Sequence, residues 1–447
     1  MSISGLDAPE VDLRRLRQLL HQRLIDSLEM GESEALADSA ALRERIDGLI
    51  ERLEDDLGKP LEATRRLTLG EEVLQEVQGL GPLAPLMIDP GVSDILINGP
   101  HEVWVDRRGQ LSRTALEFDN EAHLRRFLDR LVAAQGKHLD SNCPAVDARL
   151  PDGSRLHAMI PPLCAKGPVV SIRRFIEAQD SAEALVDSAM LSPAMLDLLG
   201  LAVSAGLNIL IAGGAAAGKT TLLNGISQFI PAGERVVTIE ESAELQLRHP
   251  HVVTLEARQG NSEGRGQVDL RMLLRNALRM RADRIIVGEV RGHEVFEMLQ
   301  AMTVGHDGSL STVHANSPGD ALKRLESLAL LADVGLPREA IREIIGSAIQ
   351  LVVQVARFRD GSRCVTSIGE VVSDQGRLGI REIFRFQAEP LDAMDNAESG
   401  PALNRRGRHL PGAQRPSFLA TLEQRGYAVP ASLAARAERS ATEAGHG

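Results

Sequence analysis

Residues 207–224 read LNILIAGGAAAGKTTLLN: an apolar run suited to a strand, then the loop Gly213-Gly214-Ala215-Ala216-Ala217-Gly218-Lys219-Thr220-Thr221, then helix-favouring residues. Glycines at both ends of such a loop let backbone N–H groups turn inward around phosphate oxygens, and the following helix adds the positive end of its dipole. In this pattern Lys219 reaches the β- and γ-phosphates and the Thr220 hydroxyl ligates Mg²⁺. The spacing predicts one nucleoside triphosphate site. The competing reading is a plain glycine-rich turn between strand and helix.

Other segments carry groups that suit such a site. Arg284-Ile285-Ile286-Val287-Gly288-Glu289 is an apolar strand ending in an acid. Ligands of parallel sheets sit at strand C-termini, so Glu289 is expected near the loop, where a carboxylate orients and polarises an attacking water; a solvated acid at a strand end is the alternative. Glu240 and Glu241 close the run VVTIEE, and clustered acids there suit Mg²⁺, with Glu240 as the metal candidate, or the lytic water; an exposed turn fits equally. His306 and His314 flank a strand in GHDGSLSTVHAN with no nearby cysteine to complete a zinc set, and are read as γ-phosphate contacts or as structural histidines. Arg149, Arg155, Arg173 and Arg174 lie upstream, close to a linker that would let one swing onto the γ-phosphoryl oxygens; a solvated strand face is the alternative. Arg275, Arg279 and Arg281 recur along one expected helix, where structural or intersubunit roles fit as well as catalytic ones.

Positioning these groups requires a parallel sheet with crossover helices. Strands are expected at 208–212, 235–239, 252–255, 284–287 and 309–313, in an alternation running from about Ser192 to Phe386. Upstream, Leu13, Leu16, Leu20, Leu24 and Leu28, then Leu42, Ile46, Leu49, Leu53 and Leu57, recur at helical spacing, and Gly58-Lys59-Pro60 stops the second helix. From Ser93 the pattern changes to short strands and hairpins, with a helix near 121–135 and a turn at Pro151-Asp152-Gly153. The expected division is a helical domain at 1–78, an α+β domain at 79–180, an α/β nucleotide domain at 181–390, and a largely flexible tail at 391–447, rich in Ala, Gly, Pro and Arg, with only a short helix-like piece at Phe418 to Arg425. The 447 residues carry a net charge of −12 and only 2% aromatics, so no direct nucleic-acid surface is expected. Cys143, Cys164 and Cys364 are far apart and odd in number, which fits a reducing cytoplasm better than a disulfide framework. The start of the chain lacks a basic-then-apolar signal, and no run reaches the roughly 18 apolar residues that span a bilayer, so membrane association is expected only through partners.

The ordered set GGAAAGKTTLLN, VVTIEESAELQL, LRMRADRIIVGEVRG and GHDGSLSTVHAN resembles the secretion ATPase superfamily that powers type II and type IV secretion and pilus assembly. The resemblance runs from about Gly79 to Phe386 and is closest to the CpaF-type ATPases of tight-adherence (Flp) pili. It implies a RecA-like P-loop ATPase domain with a parallel-rich central sheet, and a homohexamer that uses ATP and Mg²⁺. It also implies a cytoplasmic motor, peripheral to the inner membrane, that drives pilin assembly or retraction through a membrane platform protein. By the same resemblance Lys219 and Thr220 belong to Walker A, Glu240 and Glu241 to the acidic box, Glu289 to Walker B, and His306 and His314 to the histidine box. Arg149, Arg155 and Arg173 correspond to the arginines that approach the nucleotide from the N-terminal domain. The chain departs from the family where Ala215-Ala216-Ala217 replaces the more usual Thr-Gly-Ser, where Glu241 stands for Asp, and where Thr303-Val304 stands for Asn-Thr. Alternatives are a type IV secretion ATPase and a nucleotide-binding scaffold with weak turnover; the lack of a four-cysteine zinc module speaks against type II secretion.

Overall fold

The structure, a computed structural model, describes residues 16–17, 19–20, 23–24, 39–77, 79–107, 109–175, 181–258, 260, 265–358, 360–374, 376–389 and 407–434. The chain divides into two units, Met1–Ile176 and Glu177–Gly447.

In the first unit the helices Ser39–Leu57 and Ala63–Val77 pack through Leu42, Ile46, Leu49 and Leu53 on one and Leu69 and Val73 on the other, joined by Leu16, Leu20 and Leu24. These are the positions at helical spacing; Leu13 and Leu28 lie outside the described residues. Gly58 ends the first of these helices at φ 64, a left-handed cap that glycine takes without a Cβ penalty. The expected boundary at residue 78 falls inside this unit, where Arg17 bridges to Asp119 at 3.1 Å. Six antiparallel strands follow: β1 (Val92–Asn98), β2 (Val103–Arg107), β3 (Gln110–Arg113), β4 (Ala145–Arg149), β5 (Arg155–Met159) and β6 (Val169–Arg173), in the order β3-β2-β1-β6-β5-β4. Alternate residues such as Ile95, Ile97, Leu156, Ala158, Val170 and Ile172 are buried in one core with Leu124, Phe127 and Leu128 of the helix Glu121–Ala133. The intervening residues point away from that core.

The second unit is built on nine strands: β7 (Ile209–Gly213), β8 (Val236–Glu240), β9 (Val252–Glu256), β10 (Arg284–Val290), β11 (Leu310–His314), β12 (Leu351–Arg357), β13 (Arg363–Asp374), β14 (Arg377–Ala388) and β15 (Gly407–Pro411). The parallel part runs β9-β8-β10-β11-β7-β12. Its strands are apolar on both faces because helices cover both: Ile209 and Ile211 of β7 belong to one core, Leu210 and Ala212 to the other. The C-terminal ends of β7, β8, β10 and β11 share one edge, which is where a ligand of such a sheet binds.

Two expectations are corrected. The strand–helix alternation does not persist to Phe386: from Leu351 the chain is an antiparallel meander, β12-β13-β14. The connections from Arg357 to Arg363, with Gly361 at φ 83, and from Asp374 to Arg377, with Gly376 at φ 75, are too short for a crossover helix and permit only hairpins. Nor is the tail flexible throughout. Residues 407–411 add β15 to β14, and Leu419, Leu422 and Leu433 are buried in the core that holds Ile209 and Ile211. Three leucines scattered through a polar stretch are a weak sequence signal, yet they cover apolar surface that the sheet leaves open. Residues 390–406 and 435–447 lie outside the described set.

Candidate active site

The phosphate loop leaves β7 at Gly213, which stands beside His314 of β11 on one side and Val355 of β12 on the other. A Cβ on Gly213 would meet the Val355 carbonyl at 2.6 Å, so glycine is required there by space alone. Ala216 sits at φ 53, the left-handed region that disfavours an L side chain, and Gly218 at φ 97 caps the helix Lys219–Ser227. Ala215 and Ala216 are exposed, Ala217 is buried, and Gly214, Thr220 and Thr221 are half-buried. Lys219 folds back over the loop, its Nζ donating to the carbonyls of Gly213 at 3.2 Å and Gly214 at 3.0 Å. Burial holds its pKa below the ordinary lysine value, with the Glu289 carboxylate pulling upward and Arg291 downward. His314, which stands beside Gly213, is 4.0 Å from Glu289, so that carboxylate lies at the loop over which Lys219 folds.

Glu289 is aimed by a break in the ladder. The pairing of β10 with β11 shifts register between Val287 and Val290, the irregularity that re-aims a side chain at a sheet edge. Gly288 permits this, since a Cβ there would lie 2.9 Å from Glu240 Cγ, and its carbonyl accepts from Thr312 Oγ1 at 2.7 Å. The Glu289 side chain, 24% exposed, accepts from Arg291 Nη2 at 2.7 Å, while its other oxygen is 4.0 Å from His314 Nδ1. Arg291 also donates to Glu241 at 2.9 Å, and its pKa is raised first by the hydrogen bond to Glu289. Glu240 and Glu241 diverge despite being adjacent. Glu240 is 4% exposed, and its Oε2 accepts from the backbone N–H of Glu244 at 2.7 Å and Leu245 at 2.9 Å, so it fixes the loop after β8. Among the described residues no cluster of three or more His, Cys, Asp or Glu is arranged to hold a metal ion.

His306 does not join this group, contrary to the expectation for it. β11 is parallel to β7 with Leu310 beside Ile209 and His314 beside Gly213, so the strand spans the depth of the sheet, about 13 Å over four residues. His306 precedes Leu310 in a turn where its carbonyl accepts from Ser309 Oγ at 2.7 Å and Ser309 N–H donates to Asn208, at the opposite edge. Eight residues across a five-residue strand separate the two rings by construction, which motif adjacency conceals.

In the first unit Arg149 stands opposite Arg155, Arg155 opposite Arg173, and Arg173 opposite Asp94, one row across β4, β5, β6 and β1. Directly opposed residues share a face, and all three arginines lie on the face away from the core. Asp94 accepts from Arg173 Nε at 3.2 Å. Arg174 turns the other way and donates to the carbonyls of Asp89 and Val92. In the second unit, Arg271 and Arg275 hold the buried Glu297, and the helix Leu270–Ala277 ends before Arg279 and Arg281.

The family model described as type II/IV secretion system protein matches residues 76–416. The chain belongs to that family of secretion ATPases. A Mycobacterium tuberculosis protein named for conjugal transfer is 42% identical over 313 residues, 68% of this chain and 88% of that protein. The type IV secretion system protein PtlH of Bordetella pertussis is 33% identical over 312 residues, 62% of this chain and 89% of PtlH. Among solved structures, the VirB11 ATPase from the Brucella suis type IV secretion system is 27% identical, covers 66% of this chain and 97% of its own, and superposes with a TM-score of 0.36. In this secretion ATPase the P-loop strand β7 and the Glu289 strand β10 flank β11 in the parallel sheet. Arg291, which donates to both Glu289 and Glu241, is not among the residues that the sequence pattern singles out. Its only sequence signal is an arginine two residues beyond Glu289, just past the end of β10.

Proposed function

We propose that this secretion ATPase hydrolyses ATP to drive a membrane-embedded assembly machine. The observation that carries the reading is the convergence of Lys219, Glu289 and His314 on one sheet edge at a left-handed glycine-capped helix start. Loop N–H groups and Lys219 bind the β- and γ-phosphates, Glu289 orients the lytic water, and His314 contacts the γ-phosphoryl group. Arg291 holds the Glu289 carboxylate in place and ties it to Glu241. The half-buried Thr220 hydroxyl, in the first turn of the helix, fits a Mg²⁺ ligand; Mg²⁺ would neutralise charge on the phosphate oxygens. Glu240 fits that role less well, because one of its oxygens is committed to two backbone N–H groups. Arg149, Arg155 and Arg173, one row on the outer face of the first unit's sheet, are the proposed nucleotide arginines, and a homohexameric ring is the proposed assembly. The proposed domains are those of the sequence reading, with the tail strand at 407–411 joined to the ATPase sheet.

The machine is read as a tight-adherence pilus, with an inner-membrane platform protein as partner and the ATPase on its cytoplasmic side. Among the described residues no helix is long and apolar enough to cross a membrane. A conjugative or type IV secretion machine is the second reading, favoured by what the relatives are named for. Lys219→Ala introduced at the chromosomal locus separates these. The pilus reading expects lost surface pili with DNA and protein transfer intact; lost transfer with normal pili would support the second reading. Normal pili and normal transfer would leave the chain as a scaffold.

A further inference from the structure

β12 leaves the sheet beside the phosphate loop, since Val355 stands opposite Gly213, and the chain returns with Arg363, the first residue of β13, opposite Arg357. This hairpin lies on the side of β7 away from β11 and β10, which carry His314 and Glu289. The Arg363 stem lies over the last glycine of the loop: a Cβ added to Gly218 would come 2.9 Å from Arg363 Cδ and 3.3 Å from Met190 Cε. Met190 is buried, and its carbonyl accepts from Val365 N–H at 2.8 Å, so the base of the hairpin is fixed to the loop's flank. Arg363 as a whole residue remains exposed. Two arginines directly opposed across a hairpin disfavour each other, and the same arrangement is favourable beside a polyanion.

A phosphate chain lying on this loop with its γ end toward Glu289 and His314 has its α-phosphate on the β12 side. Resting on the ATPase reading above, we propose that Arg363 is a nucleotide-binding residue whose guanidinium engages the α-phosphate. Gly218 then does more than cap the helix, because its missing side chain gives the arginine its path along the loop. Nothing in the P-loop pattern points to a residue some 140 positions downstream; only the parallel pairing of β12 with β7 brings it there.

Calorimetric titration of the purified full chain with ADP and with a non-hydrolysable ATP analogue, both with Mg²⁺, tests this. Arg363→Met keeps the apolar stem on Gly218 and removes the charge. It is expected to weaken both nucleotides by about tenfold, leaving the ratio of their affinities unchanged, because both carry an α-phosphate. Arg363→Lys is expected to stay within about threefold of wild type, and Arg363→Gln serves as the charge-free variant if the methionine form fails to fold. Unchanged affinities in the charge-free variants overturn the proposal, as does a loss confined to the triphosphate, which would put Arg363 at the γ end. A wild-type chain that binds neither nucleotide would instead remove the ATPase reading, and this one with it.

Discussion

Replacing Ala216 by glycine is expected to stabilise the ATPase unit, the reverse of what alanine-to-glycine changes usually do. Ala216 is exposed and sits at φ 53, so no buried contact is lost and a left-handed L residue is relieved. That relief is about 1–2 kcal/mol, against which glycine adds about 0.5–1 kcal/mol of chain entropy on folding. The net gain is about 0.5–1 kcal/mol, or about 1–3 °C in Tm for a unit of this size. Ala217, the next residue, is the control: it is 2% exposed, belongs to the core with Leu222 and Ile226, and is not left-handed. Losing its buried methyl and gaining glycine entropy is expected to cost about 1.5–2 kcal/mol, a fall of about 3–6 °C. Differential scanning calorimetry on the two single variants reads the sign directly. If Ala216→Gly lowers Tm as Ala217→Gly does, the loop does not hold Ala216 left-handed and its departure from the family's glycine carries no strain.

Two further outcomes follow from the placement of side chains. His314→Ala is expected to lower ATP turnover by about tenfold, consistent with a contact made at the reacting phosphate, whereas His306→Ala is expected to leave kcat within about twofold because that ring lies at the other sheet edge; steady-state phosphate release compares them, and equal losses would contradict the separation. Truncation after residue 406 strips β15 from β14 and removes Leu419, Leu422 and Leu433 from the core, each worth about 1.5–3 kcal/mol of burial, so the shortened chain is expected to lose its cooperative unfolding transition or to aggregate; an unchanged melting curve would return the tail to the flexible state its composition suggests.

Five of the six parallel strands were legible because each is an apolar run between turn signals, β12 being the one not named, and the phosphate loop was legible because its glycines answer local steric demands at Gly213 and Gly218. What escaped was set by pairing between distant segments. The meander after Leu351 has strand-like residues that alternation alone assigned to the wrong topology, and β15 is too short and polar to announce itself. At the candidate site, Glu289 was expected from its position at a strand end, but the bulge that aims it and the Arg291 that holds it depend on the ladder with β11 and on Glu241 reaching the same guanidinium. His306 was misplaced for the converse reason: nearness to His314 in sequence means separation along an extended strand.

The central claim is that Glu289 acts on the phosphoryl group held by Lys219, and Glu289→Gln measures it most directly. The amide keeps the shape and gives up the charge that orients water, so ATP affinity by calorimetry is expected to stay within a few-fold of wild type while turnover falls by at least about a hundredfold. Retained binding with undiminished turnover would contradict the account.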